Sequence, residues 1–363
     1  MGKSFITAIA AFFSFAALAC IDPPTPPSAG EYAVYDLGNY PGPVQCEDVQ
    51  SSICRTDADY SAMLAGPDGR MYIPPGYGHA ASYNNQTSIY DPSTRIWSWS
   101  VNRTPCADVR ESNIDKAQGR YLSNNMPIGT HTYDLVATVG EEILVAAQVQ
   151  GRGKGCNNLI QSGAPGYEYI IASGSFRFYN PSTDVWRFTN IPARDYKSAI
   201  EIEPSGDVII VDSTSVQRYN VSAGTFVTLM SFKLPGMGSS AELIRAANTG
   251  RYYWIGQNKQ TGFGRDVYEI DVDARTIVTH GVIPDGAGHG FAYGNGKIVG
   301  GLKNGAIYTY DPVTGGVAEK VLTETPCGGP LATHGYAWVY SASINGFVGR
   351  IFRGACNRTI EYR

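Results

Sequence analysis

The chain is poor in charged residues and carries no basic cluster. Charged residues make up 17% of the 363 positions, against roughly 25% in an average soluble domain. The 28 basic and 32 acidic residues leave a net charge of −4. Proteins that bind nucleic acid need a basic surface, so nucleic acid is excluded as a partner. Helical bundles and coiled coils are disfavoured, because they are rich in charged helix-forming residues.

Several motifs of known enzyme classes are missing. The sequence has no CxxC pair, no Gly-x-Ser-x-Gly, no His-Glu-x-x-His and no Walker-type loop. It also lacks the Ser-x-Asp-x-Gly-x-x-Trp turn of sialidases. These absences disfavour CxxC-type zinc sites, serine hydrolases of the nucleophile-elbow type, zinc proteases and P-loop enzymes.

The N-terminus predicts export. Lys3 precedes an apolar stretch, Phe5 to Leu18, which ends in an Ala-x-Ala sequence suited to signal-peptidase cleavage after Ala19. Cys20 follows directly, so the same residues also resemble a lipobox whose cysteine carries a lipid, and both alternatives stay open. No later run is long enough to span a membrane, which takes ~20 apolar residues. We divide the chain into a signal peptide (1–19), a proline-rich tether (20–30) and one domain (31–363).

A short hairpin motif recurs along the domain. Tyr90-Asp-Pro-Ser-Thr-Arg-Ile-Trp97 returns as Tyr179-Asn-Pro-Ser-Thr-Asp-Val-Trp186, and more weakly from Tyr219, Ile270 and Tyr310. In each copy an Asx-started turn separates two apolar or aromatic residues seven positions apart. The copies begin 89, 40, 51 and 40 residues after one another, and Tyr362 would begin a sixth.

Shorter apolar strands precede each hairpin, so every unit reads as four antiparallel strands in about 40–50 residues. This is the period of a β-propeller blade. We predict an all-β fold with six four-stranded blades. The doubled first interval holds two insertions, at 103–130 and 152–174. The last unit ends after its third strand, and we expect Glu31 to Leu37 to supply the fourth and close the ring.

The Tyr-Asp-Pro-x-Thr-x-x-Trp hairpins resemble kelch repeats, such as those of the galactose-oxidase central domain. The run Thr130-His-Thr-Tyr-Asp134 is similar to the start of inner strands in secreted kelch-like proteins. Only the fifth unit keeps the Gly-Gly pair that the kelch pattern expects, at Gly300-Gly301. The copper oxidase activity of galactose oxidase is not expected, because the sequence has no Tyr-His dipeptide and no C-terminal domain to bring the last copper ligand.

Four of the five histidines are predicted on one face of the propeller. That face carries the loops before each first strand and the loops between second and third strands. His131, His289 and His334 would begin inner strands near a shared axial opening, with Tyr133 beside them, and we predict them as candidate catalytic residues. Their counterparts in other blades are Asp57 or Asp59, Asp195 or Lys197, and Ser239 or Glu242. This mixture of His and carboxylates suits a divalent metal or acid/base catalysis, and no other cofactor is indicated. Simple hydrogen bonding between blades is the alternative.

The same face carries the predicted binding residues. The aromatic residues of the loops and insertions do not occupy repeat positions, so they are candidates for contact with a ligand. We predict binding roles for His79, Tyr77, Tyr121, Tyr167 and Asp59. Tyr83 and Tyr169 are further aromatics of these loops, whereas Trp97, Trp186 and Tyr179 occupy repeat positions and are expected to pack between blades.

Six cysteines remain after Cys20, an even number that favours disulfides in an exported protein. The blade assignment places Cys106 and Cys156 in neighbouring loops of blade two, and Cys327 and Cys356 in the same loops of blade six. Cys46 and Cys54 lie close together in sequence before blade one. The predicted pairing is therefore 46–54, 106–156 and 327–356.

These observations predict an exported or cell-envelope binding module whose partner is an extracellular glycan or protein. The alternative is a sugar-active enzyme, such as a propeller-type polysaccharide lyase that uses a His/Tyr pair or a metal at the axial opening. An adhesion module without a small-molecule site is a third hypothesis.

Overall fold

The structure is a computed structural model. It describes residues 26–36, 61–74, 85–105, 108, 111–152, 169–172, 174–195, 197–212, 214–232, 241–257, 265–284, 290–302, 305–323, 336–353 and 356–363. Within these residues the chain forms 28 β-strands and one short 3-10 helix at Glu111–Asn113. Six sheets have four antiparallel strands each, and two further sheets are two-stranded ribbons.

Blades one and two contain the two predicted insertions. After the N-terminal strand β1 (Tyr32–Asp36), blade one comprises β2 (Leu64–Ala65), β3 (Met71–Ile73), β4 (Ser88–Asp91) and β5 (Ile96–Trp99). The first insertion forms a ribbon of β6 (Ile114–Asp115) and β7 (Arg120–Tyr121). Blade two comprises β8 (Val136–Val139), β9 (Glu142–Val145), β12 (Ser175–Asn180) and β13 (Val185–Pro192). The second insertion forms the ribbon of β10 (Val149–Arg152) and β11 (Tyr169–Ala172) between β9 and β12.

Blades three to five are regular four-strand meanders. Blade three comprises β14 (Ala199–Ile202), β15 (Val208–Val211), β16 (Ser215–Asn220) and β17 (Thr225–Ser231). Blade four comprises β18 (Glu242–Ala246), β19 (Arg251–Gln257), β20 (Arg265–Asp271) and β21 (Thr276–Ile283). Blade five comprises β22 (Phe291–Gly294), β23 (Lys297–Gly301), β24 (Ala306–Tyr310) and β25 (Val317–Val321).

Blade six is completed by the N-terminal strand. It comprises β26 (Tyr336–Ser341), β27 (Gly346–Arg353) and β28 (Cys356–Tyr362), with β1 as its outer strand. The register pairs Tyr32 with Tyr362 and Val34 with Ile360. The predicted closure is thus confirmed, and the chain's two ends share one sheet.

The first strands of the six blades form a closed inner ring. Contacts join β2 to β8, β8 to β14, β14 to β18, β18 to β22, β22 to β26 and β26 back to β2. A ring of radially arranged antiparallel sheets is a β-propeller, so the predicted six-bladed fold is confirmed.

The repeated hairpin motif forms the same turn with the same strand register in five blades. Its two conserved positions are cross-strand neighbours, as in the pairs Tyr90–Trp97 and Tyr179–Trp186, and the same register recurs from Tyr219, Ile270 and Tyr310. In the turns, the Asx side chain accepts a backbone N–H two or three residues later. Asx residues favour this local bond, which explains their recurrence.

The aromatic residues of these hairpins pack between blades, as the sequence predicted. Tyr90 and Trp97 have ring centroids 4.9 Å apart, and Trp97 Nε1 donates to Thr359 Oγ1 of blade six at 3.0 Å. Tyr179 in turn meets Tyr72 of blade one edge-to-face. These aromatic side chains are buried, so they stabilise the packing between blades and are not accessible to a ligand.

Candidate binding site on the front face

We call the side of the propeller on which the inner strands begin the front face. Because strands alternate in direction within a blade, this face also carries the ends of the outer strands and the loops between second and third strands. It therefore carries the β10–β11 ribbon of the second insertion.

A polar cavity of about 380 Å³ opens on the front face between blades two and three. Blade two contributes the residues after β9 and β13, and blade three contributes the residues before β14 and between β15 and β16. The lining residues are Gln148, Ala193, Arg194, Asp195, Lys197, Ser198, Asp212 and Thr214. A concave site with several convergent polar groups is the usual form of a ligand site.

Arg194 forms one wall of this cavity and is fixed from behind. Its Nη2 donates to Gln217 Oε1 at 2.9 Å, and its guanidinium lies over the Phe226 ring, 4.7 Å from the centroid. Desolvation lowers the pKa of Arg194, and the carboxylates of Asp212 and Asp195 oppose that shift. A neutral amide and an aromatic ring hold the side chain in place. Among the described residues, no carboxylate makes a direct ion pair with it, so its positive charge can interact with a ligand.

The two carboxylates of the cavity differ in how many hydrogen bonds they accept from the protein. Asp212 is engaged by its own loop, since its Oδ1 accepts from Thr214 N at 2.7 Å and from Ser215 N at 2.8 Å. Asp195 Oδ1 accepts from Lys197 N at 3.0 Å. No described group donates to Asp195 Oδ2, which leaves this oxygen as an acceptor for a ligand. Gln148, whose backbone N–H donates to the Arg194 carbonyl at 2.8 Å, adds an amide side chain to the lining.

Three carboxyl groups lie on or next to inner strands at the axis. Asp134 Oδ2 accepts from Leu243 N of blade four at 2.7 Å, Glu242 Oε1 accepts from Gly290 N of blade five, and Glu201 Oε2 accepts from Arg245 N at 3.3 Å.

Desolvation within the inner ring raises the pKa of all three carboxyl groups. It raises the pKa of Glu201 to about 7. The pKa of Asp134 is raised by desolvation and by the neighbouring Glu242, and that of Glu242 by desolvation, which nearby Arg265 opposes. Burial within the inner ring therefore favours the protonated form of these carboxyl groups.

His131 and Tyr133 are brought together just before the inner strand of blade two. His131 Nδ1 and the Tyr133 hydroxyl are 3.3 Å apart, and their rings meet edge-to-face. Tyr133 has a left-handed backbone, with φ of 46°, a conformation that is unusual for a bulky residue and is enriched at functional sites. Thr130 Oγ1 donates to the carbonyl of Gln148 at 2.5 Å, so this segment adjoins the cavity wall.

The other predicted site residues fall mostly outside the described part of the chain. His79, Tyr77, Asp59, Tyr167, His289 and His334 lie there, as do Asp57, Ser239 and Tyr83. Their predicted roles remain predictions. Tyr121 is described, in β7; it is 2% exposed and does not line the cavity, and its binding role stays a prediction.

The predicted disulfides also remain predictions. Cys46, Cys54, Cys106, Cys156 and Cys327 lie outside the described residues. The backbone of Cys356 begins β28, where it pairs with Arg353, at the loop between second and third strands that the sequence predicted.

Sequence reasoning found part of the cavity and missed the rest. Asp195, Lys197 and Glu242 were flagged as blade equivalents of the histidines. Arg194, Gln148 and Asp212 belong to no repeat motif, and nothing in the sequence distinguishes Glu201 from an ordinary strand residue, whereas Asp134 ends the run from Thr130 that resembles an inner-strand start. Their positions could have indicated them, because each of these residues lies at the end of a strand or on an inner strand of a predicted blade.

The described residues contain neither a candidate metal-binding cluster nor a membrane-spanning helix. No group of three or more His, Cys, Asp or Glu residues there could hold a metal ion. No helix in this part of the chain is long and apolar enough to cross a membrane.

The comparisons with known proteins give no family assignment. No protein-family model matches the chain, and no curated protein matches it. Among solved structures, an auxiliary nutrient binding protein from Bacteroides thetaiotaomicron is similar over 84% of this chain and 69% of its own, with 10% identity and a TM-score of 0.47. The extracellular domain of a one-component system from the same bacterium is similar over 83% of this chain and 38% of its own, with 10% identity and a TM-score of 0.41. At these values neither likeness carries an argument about function.

Proposed function

We propose that this propeller is an exported binding module that takes an extracellular glycan or protein on its front face. The observation that supports this most directly is the polar cavity between blades two and three. It combines a fixed cation, a carboxylate oxygen with no described donor and an amide, and it lies beside the second insertion.

The chemistry of the lining favours a ligand rich in hydroxyl groups. A sugar hydroxyl both donates and accepts, so it pairs with a carboxylate on one side and a cation or amide on the other. Asp195 Oδ2, Arg194 and Gln148 offer these partners around one cavity, and hydrogen bonds to charged groups contribute about 1.5–3 kcal/mol each. A glycan is therefore the first ligand class to test, and a polar protein loop is the second.

The remaining features of the proposal come from the sequence. The hairpins resemble kelch repeats, and the first 19 residues are typical of a signal peptide. Mass spectrometry of the mature N-terminus would distinguish free secretion from lipid attachment at Cys20.

The proposal is tested by screening the purified domain on a glycan array and then measuring affinity for the best binder. Asp195→Asn keeps the shape and the bond to Lys197 N but removes the charge, and we expect a loss of about tenfold or more in affinity. Lys197→Met tests the opposite charge on the same rim.

Arg187→Met is the matched control. Arg187 pairs with Glu142 on the outer part of blade two and is half exposed, so its loss should leave affinity unchanged. Binding that survives both cavity substitutions would contradict this location. Absence of any glycan or protein ligand would contradict the binding function itself.

A sugar-active enzyme is the second candidate, favoured by the His131–Tyr133 contact of 3.3 Å. A histidine and a tyrosine at hydrogen-bonding distance can serve as base and acid in proton abstraction and leaving-group protonation. Incubation with acidic polysaccharides should then release unsaturated sugars, and Tyr133→Phe should abolish their release while leaving binding intact. Binding without any product would favour the module.

A further inference from the structure

Arg177 in β12 is a fully buried guanidinium that has no acidic partner among the described residues. Its side chain is 0% exposed. Nη1 donates to the Ala147 carbonyl at 2.9 Å and to the Ser175 carbonyl at 3.4 Å. Nε and Nη2 donate to no atom of the residues that the structure describes.

The two unpartnered groups form the edge of the guanidinium that binds anions best. The N–H bonds of Nε and Nη2 point in the same direction, and this side edge is used in bidentate contacts with anions. The two carbonyls on Nη1 restrain the plane of the group. Arg177 therefore presents a fixed pair of parallel donors to the protein interior.

A further unpartnered hydroxyl lies in the same strand. Ser175 is 3% exposed, and its Oγ has no hydrogen-bond partner in the described part of the chain. Its own carbonyl contacts Arg177 Nη1. The β12–β13 register shifts between Ser175 and Arg177, and such irregularities commonly redirect side chains next to sites.

The charge of Arg177 needs compensation. Desolvation lowers its pKa to about 9, so the group remains cationic at neutral pH. Burying an unpaired charge is among the most costly features that a folded protein can contain. A counter-ion that binds the folded state alone would remove much of that cost.

Other buried and partly buried arginines of this protein have a carboxylate or an aromatic ring beside them. Arg95 forms an ion pair with Glu361 at 3.0 Å, and Arg265 lies near enough to Glu242 to lower the pKa of that carboxyl group. Arg350 is stacked on Trp97, 4.3 Å from the ring centroid. Arg177 has no carboxylate and no ring contact of this kind among the described residues.

We propose that Arg177 and Ser175 form an internal binding site for a small inorganic monoanion, chloride being the simplest. One negative charge matches the single guanidinium, and the hydroxyl supplies a third donor. Arg177 is fully buried, so an anion that binds it must lose its hydration shell, and that loss costs more free energy for a multiply charged anion than for a monoanion. Neither Arg177 nor Ser175 lines the cavity proposed for the extracellular ligand.

The first experiment measures thermal unfolding in sodium salts at constant ionic strength, with chloride, bromide or nitrate replacing gluconate. We expect a saturable rise in Tm of about 2–4 °C for the wild type, because the anion binds only the folded state. Arg177→Met, similar in length and uncharged, should lose this anion dependence. Arg218→Met is the matched control: it breaks an arginine–Glu203 pair elsewhere and should keep the dependence.

The second experiment uses the wild type alone, so it holds even if Arg177→Met fails to fold. Crystals grown in bromide should show an anomalous peak in contact with Arg177 Nε and Nη2. Equal Tm values in chloride and gluconate together with no bromide peak would overturn the proposal, as would a carboxylate or water molecules at that edge. An unchanged anion dependence in Arg177→Met would overturn it equally.

Discussion

Single side chains connect neighbouring blades through buried polar contacts, and Glu361 makes several of them. This residue of β28 is 0% exposed. It accepts from Arg95 Nε at 3.0 Å and from Arg95 Nη2 at 3.2 Å, and from the Tyr90 hydroxyl at 3.4 Å. One carboxylate thus links blade six to the repeated hairpin of blade one.

We predict that Glu361→Gln lowers the free energy of unfolding by about 3 kcal/mol, because it removes the buried carboxylate that pairs with the partly buried Arg95. Urea denaturation at neutral pH measures this. Glu31→Gln is the control, since Glu31 pairs with Lys320 at the surface and exposed pairs contribute about 0–1 kcal/mol. Equal effects of the two substitutions would contradict the inter-blade role.

The hairpin turns depend on one residue with a left-handed backbone. This position is Gly224 in blade three and Gly315 in blade five, with φ of 66° and 72°, whereas blades one, two and four place Arg95, Asp184 and Arg275 there. Gly224 N donates to the Asn220 carbonyl at 2.9 Å, which closes the turn.

We predict that Gly224→Ala lowers the free energy of unfolding by about 1 kcal/mol, because Ala avoids positive φ. Space is not the cause, since the only atom near an added Cβ is Ile191 Cδ1 at 4.0 Å. Gly224→Asn should cost less, because Asn tolerates this conformation. Thermal unfolding of the two variants measures this difference. A loss of stability in Gly224→Asn as large as that in Gly224→Ala would argue against backbone strain as the cause.

Among the structural elements, the hairpins were predictable from sequence and the polar sites were not. Positions seven residues apart, such as Tyr179 and Trp186, are local neighbours whose spacing directly reflects strand register. The contact of Asp134 with Leu243 joins residues 109 positions apart, and it exists only because inner strands of different blades converge at the axis. Arg177 was missed for the same reason, since its lack of a partner is a property of the assembled interior.

The inner strands should make stability depend on pH. Glu201 has a pKa of about 7 in the folded state and an ordinary value of 4.5. Between these two values the folded state keeps a proton that the unfolded state releases. The free energy of unfolding therefore falls as pH rises through this window. Asp68 and Asp91 have lowered pKa values and titrate below it.

We predict that Glu201 contributes a decrease of roughly 2–3 kcal/mol in the free energy of unfolding between pH 4.5 and 7. Glu201→Gln, which cannot ionise, should flatten this slope, and urea denaturation across the pH range measures it. The Asp311→Asn variant is the control, since the neighbouring Lys297 lowers the pKa of Asp311 to about 2 and the slope should persist. A wild-type stability that rises between pH 5 and 7 would contradict the raised pKa values.

At the scale of the whole molecule, closure of the ring places the N-terminal strand in the last blade. Five residue pairs join β1 to β28, and Arg363 N donates to the Glu31 carbonyl at 3.1 Å. The sequence indicated this closure because the last unit lacked a fourth strand. It could not indicate the front-face cavity, whose walls come from two blades.

Removal of β1 should therefore destabilise every blade, and a truncation pair tests this. Starting the mature chain after Asp36 removes the strand, whereas starting it after Ser28 keeps it and removes only the tether. The first truncation exposes the backbone edge of β28, uncovers Ile360, the partner of Val34 in β1, and removes Tyr32, which packs against the core of blades five and six. At about 1.5–3 kcal/mol for each side chain, we expect a loss of about 3–6 kcal/mol and a tendency to associate through the open edge. The tether truncation should unfold like the full mature chain. Identical melting temperatures for both truncations would show that the ring is stable without its N-terminal strand, and a transition split into two steps would show that only blade six depends on it.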